Sequence, residues 1–249
     1  MKELRIGMVH KRIIILLSIF YLTGCMYPSE NLSQNQISND AQLQMVQLAI
    51  DQYQEQKNGL LPILTKESDT PLYQKYLIDF SLLKQQGLIQ AVPGTAFENG
   101  GSYQYVLVDV EENPTVKVID LHLSDEIRSI QQRLSIYRSE HTYPPFGEQV
   151  EKNIFELDIE ELNLEGPPQV NSPYSENKLP VYIDTNGELL IDYRIELYKK
   201  LKELDHQYEN GDDIRPILFK DHPVVPAYSI PFTIKDNEPV FAPDIEEEW

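Results

Sequence analysis

The stretch VYIDTNGELLIDY, at residues 181–193, gives the strongest local signal for the fold. Two runs rich in β-branched and apolar residues, 181–184 and 189–193, flank a polar segment that contains Asn186-Gly187. Asn-Gly is the pair that most readily adopts the two positive φ angles of a tight turn. We therefore predict a β-hairpin with its turn at these two residues.

A second hairpin is predicted upstream of the first. Residues 103–110 and 115–121 alternate between apolar and polar side chains on either side of Glu112-Asn113-Pro114. Because Asn and Pro favour turns, the two runs are predicted to pair as strands.

Apolar residues at helical spacing predict four helices, at 41–56, 76–86, 124–138 and 195–208. Asn58-Gly59 is expected to end the first helix, and Gly87 the second. Ser124 is the predicted N-cap of the third helix, which has two acidic residues in its first turn.

The order of these elements suggests an internal duplication. Ile78-Asp79-Phe80 leads to Gly87 and Gln90, and Leu157-Asp158-Ile159 leads to Gly166 and Gln169 at the same spacing. Ile119-Asp120 is likewise echoed by Ile191-Asp192. We therefore predict an α+β fold of two related helix-helix-hairpin units, at 41–123 and 124–213, with the repeated part of the second unit ending near 195.

A proline-rich segment follows, at 214–249. Its six prolines argue against a helix, and its large apolar side chains argue against a solvated tail. We predict an extended arm that packs on the preceding units and ends in the exposed Glu246-Glu247-Glu248. Trp249 is either a docking anchor or an accidental terminal aromatic residue.

The N-terminal residues have the pattern of a secretory signal. Four basic residues lie among the first twelve, and residues 13–24 carry no charge. This uncharged stretch is about half as long as the roughly 20 apolar residues that a spanning helix needs. It is followed by the only cysteine of the chain, Cys25, so no intramolecular disulfide is possible.

Leu22-Thr23-Gly24-Cys25 resembles the lipobox of bacterial lipoproteins. The resemblance implies cleavage after Gly24, a diacylglyceryl thioether and an N-acyl group such as palmitate on Cys25, and anchoring at the extracytoplasmic face of the cell membrane. Residues 1–24 would be the signal peptide, and 25–40 a flexible tether rich in Ser, Asn and Gln. The alternative is an ordinary secretory signal with a chance cysteine.

The charge excludes one class of partner. The chain has 21 basic and 40 acidic residues, and removal of residues 1–24 leaves 17 and 39, a formal charge of −22. Because nucleic-acid affinity depends on neutralising phosphates with Lys and Arg, nucleic acid is excluded as a partner. The acidity suits cationic partners or divalent ions, or simply makes the exterior soluble.

The sequence carries no catalytic or cofactor-binding signature. It lacks a Gly-x-Ser-x-Gly elbow, a His-Glu-x-x-His helix and a Gly-rich phosphate loop. The histidines, which lack metal-ligand spacing, are His10, His122, His141, His206 and His222. Residues 184–188 resemble part of a calcium loop, but a hairpin turn explains them better.

Carboxylates at related hairpin positions are the remaining catalytic candidates. They are Asp109, Asp120, Asp184 and Asp192. Two of them could form an acid and base pair across a cleft, whereas the alternative is a polar strand face.

Two further resemblances concern function. The stretch 136–144 resembles the helix exit of type II secretion pseudopilins, but the pilin prepeptide is missing, so filament assembly is not implied. The lipobox, the Ile-Tyr-Arg-Ser-Glu-His helix end at 136–141 and the Tyr-Ile-Asp-Thr-Asn-Gly-Glu hairpin at 182–188 resemble an uncharacterised lipoprotein family of spore-forming, low-GC Gram-positive bacteria. That resemblance implies no activity.

The functional expectation is a non-enzymatic binding or structural module of the cell envelope, whose partner is an envelope protein or a wall polymer. A solute-binding component of a transporter is the alternative. A lipid-anchored hydrolase that uses carboxylates is the third possibility.

Overall fold

The hairpin at 181–193 organises the larger sheet of the protein. In the computed structural model, which describes residues 39–68 and 70–244, β6 (Lys178–Asp184) pairs antiparallel with β7 (Leu189–Ile191). The predictions for the signal peptide, lipobox, Cys25, most of the tether and Trp249 concern positions outside these residues.

The turn of this hairpin differs from the predicted type. Gly187 has a φ of +88°, but the φ of Asn186 is not positive. The Gly187 amide donates to the Asp184 carbonyl at 3.0 Å, and the Asp184 carboxylate accepts from the amides of Asn186 and Glu188. Only Gly187 therefore needs the left-handed conformation, as in a type I turn that is followed by a bulge.

The segment from 39 to 120 combines helices with a two-stranded sheet. Its elements are α1 (Asn39–Gln56), α2 (Leu72–Lys75), α3 (Phe80–Gln85), β1 (Tyr103–Val108) and β2 (Thr115–Asp120). The β1–β2 hairpin and α1 confirm two predictions, and Asn58 and Gly59 after α1 both have positive φ. Within the predicted helix at 76–86 only α3 is helical, because Leu77 and Ile78 form bridges with Val106 and Ile63, and α2 ends before this range.

A long helix connects this segment to the five-stranded sheet. It is α4 (Leu121–Glu140), and its N-cap is Asp120, which accepts a hydrogen bond from the His122 amide, rather than Ser124. The sheet adds β3 (Phe146–Glu151), β4 (Ile154–Leu157) and β5 (Gln169–Asn171). The strand order is β3-β4-β6-β5 with antiparallel pairing, and β7 also pairs with β6.

The predicted duplication is wrong, although helices and antiparallel sheets fit the α+β class loosely. Both hairpins exist, but β1 and β2 form a sheet of two strands, whereas β6 and β7 belong to a sheet of five. The second predicted unit contains three strands, β3, β4 and β5, where the repeat requires a second helix. The Asp158 carboxylate caps a turn at 159–163, whereas Asp79 caps a helix.

The C-terminal segment is extended and packed, as predicted, but it is not free of helix. The helix before this segment, α5 (Arg194–Glu203), ends five residues before the predicted bound at 208. The segment itself contains α6 (Pro216–Phe219), β8 (Phe232–Lys235) and β9 (Glu238–Phe241). Pro216 is tolerated because it stands in the first turn of α6, where its missing amide has no helical partner. The apolar residues of this segment that are at most 6% exposed are Ile214, Ile217, Leu218, Phe219, Val224, Val225, Ala227, Phe232 and Phe241.

Hydrogen bonds join the C-terminal segment to β2. The Val118 amide donates to the Pro223 carbonyl, and the Val225 amide donates to the Val118 carbonyl, both at 2.9 Å. Phe219 and Val225 also share a buried cluster with Val106 and Ile119. These residues therefore belong to the core around the first hairpin.

Within the described part of the chain, none of the helices is sufficiently long and apolar to span a bilayer.

Candidate functional site

The aspartates that were candidate catalytic groups have local contacts. The Asp120 and Asp184 carboxylates cap α4 and the β6–β7 turn, and Asp192 binds the Arg194 guanidinium with Oδ2 to Nη2 at 2.7 Å. Asp109 has a φ of +51° and its carbonyl accepts from the Asn113 amide, within the first hairpin loop. These contacts are typical of turns and helix caps. In the stretch 184–188 the Asp184 carboxylate binds amides of its own turn, as in a hairpin turn rather than a calcium loop.

The histidines occupy separate local environments. His122 Nδ1 lies 2.7 Å from Asp120 Oδ1, His141 stacks on Tyr137, and His206 is exposed beside Tyr208. His222 is half-buried, and desolvation lowers the pKa of its imidazole. No three His, Cys, Asp or Glu residues converge as a metal site in the parts of the chain that the structure covers.

An open cleft of about 580 Å³ is the candidate binding site. It lies between the loop before α2, strands β1 and β2, the start of α4 and the C-terminal segment. Hydroxyl and amide side chains supply most of its polar lining: Thr65, Thr70, Gln74, Gln104, Ser124 and Tyr228. Leu77 and Ile119 add apolar surface, and both are about 95% buried.

The two charges in the described lining cancel. Lys66 and Glu67 are neighbours in one exposed loop, and Glu67 is the one carboxylate among the described lining residues. An acid and base pair needs two ionisable groups on opposite sides of the bond that is cleaved. The described lining supplies no such pair of carboxylates.

Tyr228 holds an unusual backbone conformation at the edge of the cleft. Its φ is +56°, a region that bulky residues rarely adopt, and its carbonyl accepts from the Ile191 amide at 2.7 Å. Its hydroxyl lies 3.0 Å from Ser124 Oγ. Strain of this kind costs about 1–3 kcal/mol and is concentrated at functional sites.

Gln74 is the second unusual residue of the cleft. The side chain lines the cleft, but its Nε2 is buried and has no hydrogen-bond partner. A buried amide group without an acceptor costs about 1–3 kcal/mol. A ligand that offered a carbonyl oxygen to this nitrogen would recover that cost.

A buried cation connects the two sides of the cleft. Arg215 is 0% exposed, and its guanidinium donates to the Asp213 carboxylate and to the carbonyl and hydroxyl of Ser229. Its Cζ lies 4.8 Å from the centroid of the Tyr73 ring. Tyr73 precedes Gln74, and Ser229 follows Tyr228, so Arg215 contacts the chain neighbours of both unusual residues.

Sequence reasoning did not find this cleft. The sequence predicts Ser124 only as a helix cap, and Gln74, Gln104 and Tyr228 carry no sequence signal of a binding site. The lining residues come from five separate stretches, so no local motif connects them.

Comparison with known proteins gives one partial match. Residues 39–120 match the model of the YphF family N-terminal domain. No curated protein and no solved structure matches the chain significantly. The matched residues contain α1 to β2 and supply the cleft residues from Thr65 to Ile119.

Proposed function

We propose that this protein is a non-enzymatic binding module of the cell envelope, held at the outer face of the cytoplasmic membrane by lipid on Cys25. The lipobox-like tetrapeptide supports the anchor. Two acyl chains are sufficient for stable membrane attachment, because each buried methylene contributes about 0.8 kcal/mol.

The cleft beside Tyr228 is the proposed binding site, and its lining is the observation on which the proposal depends. It combines neutral hydrogen-bonding groups with a small apolar area, and its described part has one carboxylate. Small-molecule pockets are mostly apolar with a few polar groups, so the larger polar share of this cleft suits a polar ligand. The strained backbone of Tyr228 further favours a functional role for this position.

A solute-binding lipoprotein of a transporter remains the second proposal, because of the size of the cleft. Its volume of about 580 Å³ is within the roughly 300–1,000 Å³ range of small-molecule pockets. A free small solute, rather than an immobile envelope component, would then be the ligand.

Site-specific photo-crosslinking in growing cells tests the binding site. A photoreactive amino acid replaces Gln104 in the cleft, and the matched control replaces the exposed Gln149 on β3. We expect the Gln104 variant alone to cross-link an envelope protein or wall polymer. Equal cross-linking from both positions, or none from Gln104, would contradict the proposal.

Detergent phase partitioning tests the anchor. We expect the full chain to enter the detergent phase and the Cys25→Ala variant to stay in the aqueous phase, because the thioether has no other attachment site. Retention of the variant in the detergent phase would show that lipid on Cys25 does not hold the protein.

A further inference from the structure

We infer that the cleft binds an uncharged oligosaccharide whose rings carry acylamino groups. This inference rests on the proposed function and names the chemical class of the ligand among the possible envelope partners. It follows from the charge, the hydrogen-bonding groups and the apolar surface of the cleft.

The charge favours a neutral ligand. Lys66 and Glu67 cancel in the described lining, whereas the whole chain has a formal charge of −19. A polyanionic wall polymer would be repelled by this excess of carboxylates and would find one lysine among the described cleft residues. A cationic ligand would be attracted to the whole acidic surface rather than to this site.

The hydrogen-bonding groups suit hydroxyls and amides. The hydroxyls of Ser124 and Tyr228, 3.0 Å apart, can each donate and accept, as a sugar hydroxyl does. Gln104 offers a carboxamide, which also does both. Such neutral groups bind an uncharged polyol without the desolvation cost of an ion.

Gln74 supplies the reason for an acylamino group. Its Nε2 needs an acceptor that the described protein groups do not provide. Rotation of this side chain toward the cleft would allow the amide to donate to an acyl carbonyl oxygen of the ligand. A carbonyl is a stronger acceptor than a second hydroxyl, so a sugar without the acyl group would bind more weakly.

The apolar part of the cleft suits the face of a sugar ring. Leu77 and Ile119 belong to one buried cluster, and the half-buried Tyr228 packs against it. Because Leu77 and Ile119 are about 95% buried, the apolar contact available to one face of a pyranose ring is mainly the Tyr228 ring, while the ring hydroxyls reach the polar side chains. The strained Tyr228 would thereby place both its ring and its hydroxyl against one sugar.

Calorimetric titration of the detergent-solubilised full chain tests the ligand class. The probes are the β-1,4-linked tetramer of N-acetylglucosamine and cellotetraose, which has the same linkage without acetamido groups. We expect saturable binding of the acetylated tetramer, and binding of cellotetraose that is weaker by about tenfold or more. Equal affinities would overturn the role of the acyl group.

Variants locate the binding in the cleft. Gln74→Leu should raise the Kd of the acetylated tetramer about tenfold, without lowering the thermal midpoint of the free protein, because the buried amide has no partner to lose. Tyr228→Phe should also weaken binding, and Gln149→Leu should leave it unchanged. Unchanged affinity in both cleft variants would overturn the assignment.

Failure of this inference is distinguishable from failure of the proposed function. If neither tetramer binds but the Gln104 photo-probe captures an envelope protein, the saccharide assignment is wrong and the binding module stands. If neither tetramer binds and the photo-probe captures nothing, both are wrong.

Discussion

The Arg215 guanidinium lies over the ring of Tyr73, with 4.8 Å between Cζ and the ring centroid. Tyr73 belongs to the part that matches the YphF family N-terminal domain, and Arg215 belongs to the C-terminal segment. The contact therefore joins α2 to a segment far along the chain.

We expect Arg215→Met to lower the free energy of unfolding by about 2–3 kcal/mol. The variant keeps much of the side-chain volume but loses the donors to Asp213 and Ser229. Urea unfolding measures the change. As a control, Arg128→Met removes an exposed ion pair with Asp125 and should change stability by less than about 0.5 kcal/mol. Equal effects of the two variants would contradict the buried role of Arg215.

Gly101→Ala should lower the thermal midpoint by roughly 4–8 °C or prevent folding. A Cβ at this position would lie 2.1 Å from the carbonyl oxygen of Thr95, and a backbone atom cannot move aside cheaply. Gly166→Ala is the matched control, because its Cβ would meet nothing within 4 Å. Differential scanning calorimetry measures the thermal midpoints of the two variants. Equal midpoints would contradict the steric argument.

Asn186 and Gly187, in the turn at 184–188, should differ in how much stability they lose on substitution by alanine. Asn186→Ala should cost less than about 0.5 kcal/mol, since it loses one exposed hydrogen bond to Asp184. Gly187→Ala should cost about 1 kcal/mol or more, because φ is +88° and the Cβ would contact the Arg138 guanidinium and Pro144. Chemical denaturation measures the free energy of unfolding of the two variants. Similar losses would support the two-residue turn that the sequence predicts.

Truncation after Gly211 should leave the protein insoluble or lower its thermal midpoint by several degrees. The truncated chain loses Phe232 and Val225, which are fully buried, and exposes the surfaces that they cover. Solubility and circular dichroism measure the outcome. A soluble fragment with an unchanged midpoint, together with rapid proteolysis of the segment in the full chain, would show that residues 212–249 are a free tail.

His222 should make stability fall as the pH drops below about 6.5. Burial, with a smaller contribution from the charge of Lys117, lowers the pKa of His222 from its ordinary value of 6.5. The unfolded chain therefore binds more protons in this range, so stability rises with pH between the folded and unfolded pKa values and is constant above them.

His222→Asn checks this dependence. Its carboxamide oxygen can accept the Val224 amide in place of Nδ1. We expect a smaller loss of stability between pH 7 and pH 5 than in the parent protein, whereas the exposed His206→Asn should not change the loss. If His222→Asn loses as much stability between pH 7 and pH 5 as the parent protein, His222 is not the source of the pH dependence.

Elements with local signals were predictable from the sequence. Helix α1 has apolar residues at helical spacing and a left-handed Asn58-Gly59 end, and both hairpins have turn residues between alternating strands. Strand β3 was missed because its side chains are mostly exposed and its pairing with β4 is irregular. The sequence suggests a duplication because short capping motifs recur in unrelated structural contexts, as Asp79 and Asp158 show.

The cleft could not be predicted for a different reason. Its shape depends on Tyr228 reaching Ser124 across 104 residues of sequence, and on a φ angle that a tyrosine normally avoids. Neither fact has a signature in composition or periodicity. The absence of a reactive motif, by contrast, could be seen in the sequence and led to a binding role as the first expectation.

The bonds between Val118 and residues 223–225 have a consequence for biosynthesis. A ribosome releases the chain from its N-terminus, so β2 emerges long before the strand-like segment that covers its outer edge. During that interval the edge presents unpaired amide and carbonyl groups, which can recruit strands from other chains. A stalled or prematurely terminated product would therefore be prone to aggregate, and chaperones that shield nascent chains should increase the yield of the complete protein.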